Sequence, residues 1–230
     1  MTLARIARPG KPPAGARTAA GYNRCMDILA NSFVVLLIVV DPIGVAALFW
    51  VLSRDAPHRD QRRTAFRACA LATAILVVFF LIGDELLMRL GIGIPAFRIA
   101  GGVLLFLLSI DMVFARQSGL RSTTVREQIE AEHRPDITVF PLAFPLIAGP
   151  GALTSVLLMA SSPHDLAVHL GMLGVLLCVL GLTLVSLLLA SRIMRLLGET
   201  GTNVISRLFG LLLAALAVQF VLDGVRASLA

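Results

Sequence analysis

The chain has 230 residues, of which 57% are hydrophobic and only 15% charged, and its mean hydropathy is +0.88. This composition excludes an ordinary soluble globular domain and indicates a polytopic membrane protein. The formal net charge is +6, yet 19 of the 20 basic residues are arginines, most of them in short connections between apolar stretches. That distribution is typical of membrane orientation signals and argues against a surface for nucleic acid.

The first 25 residues are rich in Pro, Gly, Ala and Arg and lack the apolar core of a signal peptide. We therefore expect residues 1–25 to form a disordered tail. Met26 stands immediately before the first apolar stretch. An alternative is that translation starts at Met26 and that the tail belongs to a mis-annotated start.

Six apolar stretches follow, each close to the ~20 residues that a helix needs to cross the hydrocarbon core. Each must be helical, because lipid offers no hydrogen-bond partner to backbone groups. The predicted fold is therefore all-α, with six transmembrane helices at roughly 28–52, 66–84, 97–115, 137–160, 167–190 and 205–225.

Arginines in the connections predict the orientation of these helices. The connections after the first, third and fifth spans carry twelve arginines with those at the span edges, whereas the opposite side carries three outside the tail 1–25, which adds five basic residues there. The positive-inside rule then places both ends of the helical body in the periplasm. In the long connection 116–136, Thr124 and Glu127 have the spacing of a capping box, which predicts a short cytoplasmic helix.

The third and sixth spans resemble each other, and so do the first and fourth. RIAGGVLLFLL starts at Arg98 and RLFGLLLAALA starts at Arg207, which is 109 positions later. Pro42 and Pro150 align the other two spans with an offset of 108. Each copy holds three spans, an odd number, so the second copy would enter the membrane from the opposite side, as in many secondary transporters. The predicted inverted repeats cover residues 26–115 and 137–230.

The first helix of each predicted repeat contains residues that interrupt helices. Asp41 stands before Pro42 and Gly44 in the first span, and Gly-Pro-Gly occupies 149–151 in the fourth. Proline removes a backbone donor, and a charge in a span costs roughly 2.5–3.5 kcal/mol on insertion scales. Prolines often do no more than kink a membrane helix. Gly/Pro interruptions at matching positions of two repeats, however, are the best sequence indication of a transporter's binding site.

Two broken helices predict a site for a zwitterion. A helix that starts inside the membrane presents unpaired N–H groups, which favour a carboxylate. Freed carbonyls and Asp41 favour a cation, either a substrate ammonium group or a coupling proton or sodium ion. Asp111 is a second candidate for coupling, although snorkelling or pairing with an arginine explains it more simply. The predicted substrate-binding residues are Asp41, Pro42, Gly44, Gly149, Pro150, Gly151, Thr154 and Ser155.

Nothing in the sequence indicates a cofactor, a metal site or catalytic residues. The cysteines are isolated, His164 and His169 have a poor spacing for a metal pair, and no phosphate-binding lysine loop is present. The expected partners are a small-molecule substrate, the lipid bilayer and a coupling ion. Glycines at 101–102, 171 and 174 offer faces for close helix contact and leave a homo-oligomer open.

The chain resembles the MarC (UPF0056-type) family of bacterial inner-membrane proteins, which is grouped with the six-helix neutral amino acid transporters. The resemblance covers about 26–226 and rests on DPIG at 41–44, GIPAFRIAGGVLLFLLSIDMVF at 93–114 and DITVFPLAFPLIAGPGALTSVLL at 136–158. It implies a multi-pass protein of the bacterial inner membrane. Most members have no demonstrated function, and related members are described as transporters of glycine, alanine and other small neutral amino acids.

The function expected from these observations is secondary transport of a small neutral amino acid by alternating access, coupled to a proton or sodium gradient. A passive channel or facilitator on the same architecture is the first alternative. A membrane protein of the MarC type without a transport role is the second. An intramembrane enzyme is disfavoured, because Asp41 and Asp111 lie in different spans and no protease signature accompanies them.

Overall fold

A computed structural model describes residues 14–54, 56–114, 138–161 and 165–229. Every regular element in these ranges is helical, which confirms the all-α class. The elements are α1 (Ala14–Val40), α2 (Pro42–Ser53), α3 (His58–Arg89), α4 (Ile94–Phe114), a π-helical segment (Thr138–Ile147), α5 (Pro150–Ala160), α6 (Leu166–Leu188) and α7 (Ala190–Leu229).

The membrane spans follow the predicted pattern. Five spans in the described ranges are long and apolar enough to cross a bilayer, and one of them, Cys25–Ser53, joins the end of α1 to α2. The π-helical segment and α5 form a pair bent by 54° and count as a sixth span when taken together. Gly198, with a φ of 65°, interrupts α7, so that the last span runs over Thr200–Leu229.

Two predictions concern the segments that flank the first predicted repeat, namely the tail 1–25 and the connection 116–136. Helix α1 begins at Ala14, so the backbone of residues 14–25 is helical where composition predicts disorder. Alanine and arginine both favour helix, and this segment extends a span that is helical already. Residues 1–13 and the predicted cytoplasmic helix within 116–136 lie outside the described residues.

The interrupted helices occupy the centre of the bundle. In the most apolar 18-residue stretch of each span, the buried share is 56% for Cys25–Ser53, 33% for α3, 39% for α4 and for α6, and 22% for the last span. Eight of the eleven residues of α5 are buried as well. Irregular backbone at membrane depth is tolerated only where protein or a water-filled cavity surrounds it, and the central position meets this requirement.

The other helices pack around this centre in an ordered pattern. Helix α3 packs against the π-helical segment and α5, and α6 packs against α1 and α2. In the same way α4 contacts α5, and α7 contacts α2. Helices α4 and α7 form the most extensive pair of the bundle.

Glycines allow α4 and α7 to pack closely and antiparallel. A Cβ atom on Gly102 would lie 2.8 Å from the carbonyl oxygen of Ala217, and a Cβ atom on Gly210 would lie 2.7 Å from Cβ of Met112. Neither glycine position has room for a side chain, because the added Cβ atom would collide with the facing helix. Gly102 is one of the glycines that the sequence offers for contact between copies. In the structure it packs against α7 of the same chain.

We expect Gly210→Leu to destabilise the protein, because the new side chain would push α7 away from α4. Overpacking of this kind costs about 1–3 kcal/mol in the free energy of unfolding. Thermal unfolding of the purified variant in detergent measures the effect as a lower Tm. Gly174→Leu is the matched control, since nothing lies within 4 Å of a Cβ at Gly174. Equal Tm values for the two variants would contradict the proposed role of Gly210.

Candidate functional site

The first break is confined to a single residue between α1 and α2. Asp41 has φ 46° and ψ 71°, a left-handed conformation, and no other non-glycine residue in the described ranges has a positive φ. Asp tolerates this region because its short side chain forms local hydrogen bonds. Hydrogen bonds continue across the break, since the amide of Asp41 donates to the carbonyl oxygen of Leu37 and that of Val45 to the carbonyl oxygen of Asp41, both at 3.0 Å.

The Asp41 carboxylate caps the second half of the broken helix. Its Oδ1 accepts a hydrogen bond of 3.1 Å from the backbone N–H of Gly44, and the residue is only 1% exposed. Pro42 occupies the first turn of α2, where its missing N–H costs nothing. A Cβ atom on Gly44 would lie 2.2 Å from Oδ2 of Asp41. The glycine therefore leaves the space into which the carboxylate folds.

The second break is longer than a single bend. Phe140 and Phe144 have extended backbone angles inside the segment Thr138–Ile147, because each precedes a proline and the proline ring excludes the α conformation there. Gly149 is also extended and forms the N-cap of α5, with Pro150 in the first turn. The break predicted within 137–160 is present, but the half before it is an irregular π-helical segment and not a regular α-helix.

Both second halves begin in the same way. Asp41 and Pro42 start α2, and Gly149 and Pro150 start α5, at the offset of 108 positions. They differ in the cap, because Asp41 supplies a carboxylate to its own helix and Gly149 has no side chain to supply. In α2 the Asp41 carboxylate accepts a hydrogen bond from an N–H group of the first turn. In α5 the first N–H groups receive no such bond from their N-cap residue, and unpaired N–H groups at a helix start favour an anion.

The two breaks meet in the bundle core. A Cβ atom on Gly151 would lie 3.2 Å from Cγ1 of Val39, two residues before Asp41, and 2.7 Å from Cδ2 of Leu105 on α4. A cavity of about 10 Å³ lies at this junction, lined by Val39, Leu108, Pro145, Leu146, Ile147, Gly149, Pro150, Gly151 and Ala152. That volume holds at most one water molecule. The junction is closed in this conformation.

The two hydroxyl groups predicted for the site have different surroundings. The hydroxyl of Thr154 donates to the carbonyl oxygen of Pro150 at 2.9 Å, and its methyl group lies against Gly101. Ser155 is 1% exposed, and its Oγ has no hydrogen-bond partner in the part of the chain that the structure describes. A buried polar group without a partner costs about 1–3 kcal/mol. Ser155 therefore has hydrogen-bonding capacity that the described residues leave unused.

Asp111 lies about one helical turn beyond a residue that lines the small cavity. It is half-buried near the end of α4, three residues beyond Leu108, which lines the small cavity. Three residues are about one helical turn, ~4.5 Å along the axis. The distance along α4 is thus compatible with a role near the junction.

One contact near the site was missed by sequence reasoning. The hydroxyl of Ser161, at the end of α5, donates to the carboxylate of Asp84 on α3. Nε2 of His169 lies 3.0 Å from the carbonyl oxygen of Ala160. These contacts hold the C-terminal end of α5 against α3 and α6. The residues are 77 positions apart in the first pair, so no local pattern indicates it.

Comparison with known proteins identifies the family. Residues 26–229 match the family described as MarC family integral membrane protein. The chain belongs to the MarC family. Within the described residues, no group of three or more His, Cys, Asp or Glu side chains could hold a metal ion in this MarC-family protein.

Similar proteins come from bacteria and archaea. A UPF0056 membrane protein of Methanocaldococcus jannaschii is 34% identical over 199 residues, which are 86% of this chain and 96% of the relative. The UPF0056 inner membrane protein YhgN of Escherichia coli K12 is 34% identical over 202 residues, 87% of this chain and 98% of the relative. YhcE of the same organism, a UPF0056 membrane protein, is 32% identical over 198 residues, 84% and 90% of the two chains. No solved structure matches.

The family description and these names support an integral membrane protein, and the apolar helices support a multi-pass one, as the family resemblance implies. The names describe the relatives as membrane proteins, and in one case as an inner membrane protein. They name no substrate and no enzymatic activity.

Proposed function

We propose that this MarC-family protein is a secondary transporter of a small zwitterion, with small neutral amino acids as the substrate class. The observation that carries the proposal is the contact between the two breaks, Val39 against Gly151, in the most buried part of the bundle. Broken helices that meet at the membrane midplane form the substrate sites of many secondary transporters. If Pro42 did no more than kink its own helix, a second break in contact with the first would not be expected.

The packing pattern supports alternating access by two inverted repeats. A two-fold axis would exchange the first three spans with the last three. The α3–α5 contact then corresponds to the α6–α2 contact, and the α4–α5 contact corresponds to the α7–α2 contact. All four contacts are present. The α4–α7 pair exchanges with itself. A pseudo-two-fold axis in the membrane plane requires this pattern. Rocking of the two halves about that axis would expose the junction to one side and then to the other.

The chemistry of the junction suits a carboxylate and an ammonium group. The start of α5 has N–H groups and a positive dipole end but no capping side chain at Gly149, so a substrate carboxylate would fit there. The buried hydroxyl of Ser155, one turn further along α5, offers another donor. Asp41 supplies the negative charge, either to the ammonium group of the substrate or to a coupling proton or sodium ion. Asp111 is the second residue proposed for coupling.

Transport assays on purified protein in liposomes test the proposal. Counterflow of radiolabelled glycine, alanine and serine is expected, and imposed proton or sodium gradients should drive accumulation. Uptake that ignores both gradients would support the passive facilitator instead. Absence of counterflow for a broad set of small zwitterions, in protein that is folded and inserted, would contradict the proposal and favour a MarC protein without a transport role.

Ser155→Ala separates a substrate contact from a structural one. The substitution removes a buried hydroxyl that has no partner among the described residues, so we expect unchanged or slightly higher Tm in the absence of substrate. Substrate affinity should fall by about 5- to 10-fold, the value of one neutral hydrogen bond of ~1 kcal/mol or slightly more. Counterflow at several substrate concentrations gives the affinity. Thr154→Val is the comparison, because its hydroxyl is bonded to Pro150 within the helix, and its affinity should change less.

A further inference from the structure

A large cleft opens at one end of the bundle, away from the junction of the breaks. Its volume is about 690 Å³, within the range of ligand-binding pockets. It lies where α2 ends, α3 begins and α6 passes into α7. The lining residue nearest to Asp41 in sequence is Phe49, eight positions along α2 and therefore ~12 Å away along the axis. The lining includes three aromatic residues, Phe49, Trp50 and Phe66, the leucines 187–189, and three arginines, Arg62, Arg192 and Arg195.

One half of this cleft is strongly basic. Arg62, Arg192 and Arg195 line it, and no lining residue is acidic. In the described part of the chain, none of these three guanidinium groups lies within 4.0 Å of a carboxylate. Arg195 donates only to the carbonyl oxygen of Ser191, at 3.3 Å. Three cations that have no counter-ion among the described residues attract an anion, and Arg forks bind phosphate oxygens in particular.

The other half is apolar and lies at the level where the spans end. Phe49, Trp50 and three consecutive leucines form it together with Phe66, which is 54% exposed. Helix α2 ends at Ser53 and α6 ends at Leu188, so we expect the cleft to lie at the boundary between hydrocarbon and headgroups. Trp50 is the single tryptophan of the chain, and tryptophan prefers this boundary.

We propose that this cleft binds an anionic phospholipid. The phosphate-bearing headgroup contacts Arg62, Arg192 and Arg195, and an acyl chain lies along the aromatic and leucine wall. A free phosphate ion would use the basic half only and leave the apolar half without a role. Basic pockets between spans on the arginine-rich side are where membrane proteins take up such headgroups, and the arginine count predicts this face to be cytoplasmic.

Fluorescence of Trp50 reports directly on the cleft, because no other tryptophan contributes. Purified protein is titrated in detergent with phosphatidylglycerol carrying brominated acyl chains, and with the matching brominated phosphatidylcholine. We expect quenching at lower concentration by phosphatidylglycerol. Each arginine removed should reduce the apparent affinity by about fivefold, so that Arg192→Gln/Arg195→Gln reduces it by roughly 25-fold.

The matched control is Arg63→Gln, which removes an exposed arginine next to Arg62 that does not line the cleft. It should bind phosphatidylglycerol like the wild type. Equal quenching by the two lipids, or unchanged quenching in the double variant, would overturn the proposal. Thermal stabilisation by inorganic phosphate as large as that by phosphatidylglycerol would also overturn it, since the ligand would then be a free anion. Transport activity does not enter these measurements, so the lipid site stands or falls separately from the transport proposal.

Discussion

Asp41→Asn is expected to reduce gradient-driven uptake strongly while leaving the fold intact. Asparagine has the same shape, tolerates the left-handed φ of 46° and accepts the hydrogen bond from the Gly44 N–H as aspartate does. The negative charge alone is lost. A hydrogen bond to a charged group contributes about 1.5–3 kcal/mol, so uptake should fall by about 10- to 100-fold. Uptake into proteoliposomes with matched protein content measures the loss, and Tm in detergent checks the fold.

The same variant distinguishes two roles for Asp41. If the carboxylate binds a coupling ion, counterflow of the substrate should persist and only accumulation against a gradient should disappear. If it binds the substrate ammonium group, counterflow and accumulation should fall together. Asp41→Ala is the structural control, since it also removes the cap of α2 at a cost of about 1 kcal/mol and should lower Tm. Wild-type uptake by Asp41→Asn would remove Asp41 from the site.

Gly151→Leu is expected to stop transport by filling the junction of the breaks. The first added carbon already lies 2.7 Å from Cδ2 of Leu105 and 3.2 Å from Cγ1 of Val39, and the adjoining cavity of about 10 Å³ cannot take the rest of the side chain. Overpacking costs about 1–3 kcal/mol and forces the helices apart. Uptake should therefore fall by more than about tenfold, with a lower Tm in detergent.

A compensating substitution separates blocked transport from general damage. Leu105→Ala removes the atom nearest to the new Cβ, so the pair Gly151→Ala/Leu105→Ala should recover stability and uptake lost in Gly151→Ala alone, a coupling that a double-mutant cycle measures. Gly174→Leu controls for a leucine at an exposed helical glycine and should transport normally. Additive effects of the two alanine substitutions would contradict a direct contact at the junction.

Part of the candidate site was predictable because its chemistry is local. Proline and glycine interrupt helices wherever they stand, so Pro42 and Pro150 indicate the two breaks without any knowledge of the fold. The different states of neighbouring Thr154 and Ser155 were not predictable. Both are small hydroxyl residues on one helix, and only packing against Gly101 and the bond to Pro150 separate them. The basic cleft was also missed, because its arginines come from α3 and α7 and appear in the sequence only as orientation signals.

The sequence by itself determined the class of the protein and the positions of its spans, because lipid requires long apolar stretches and internally bonded backbone at each point along the chain. It also determined where the spans break. Only the tertiary structure decided that the Asp41 carboxylate turns back onto Gly44 and that Val39 meets Gly151. These contacts depend on which helices pack against each other, and hydropathy contains no information on the partner of an apolar face.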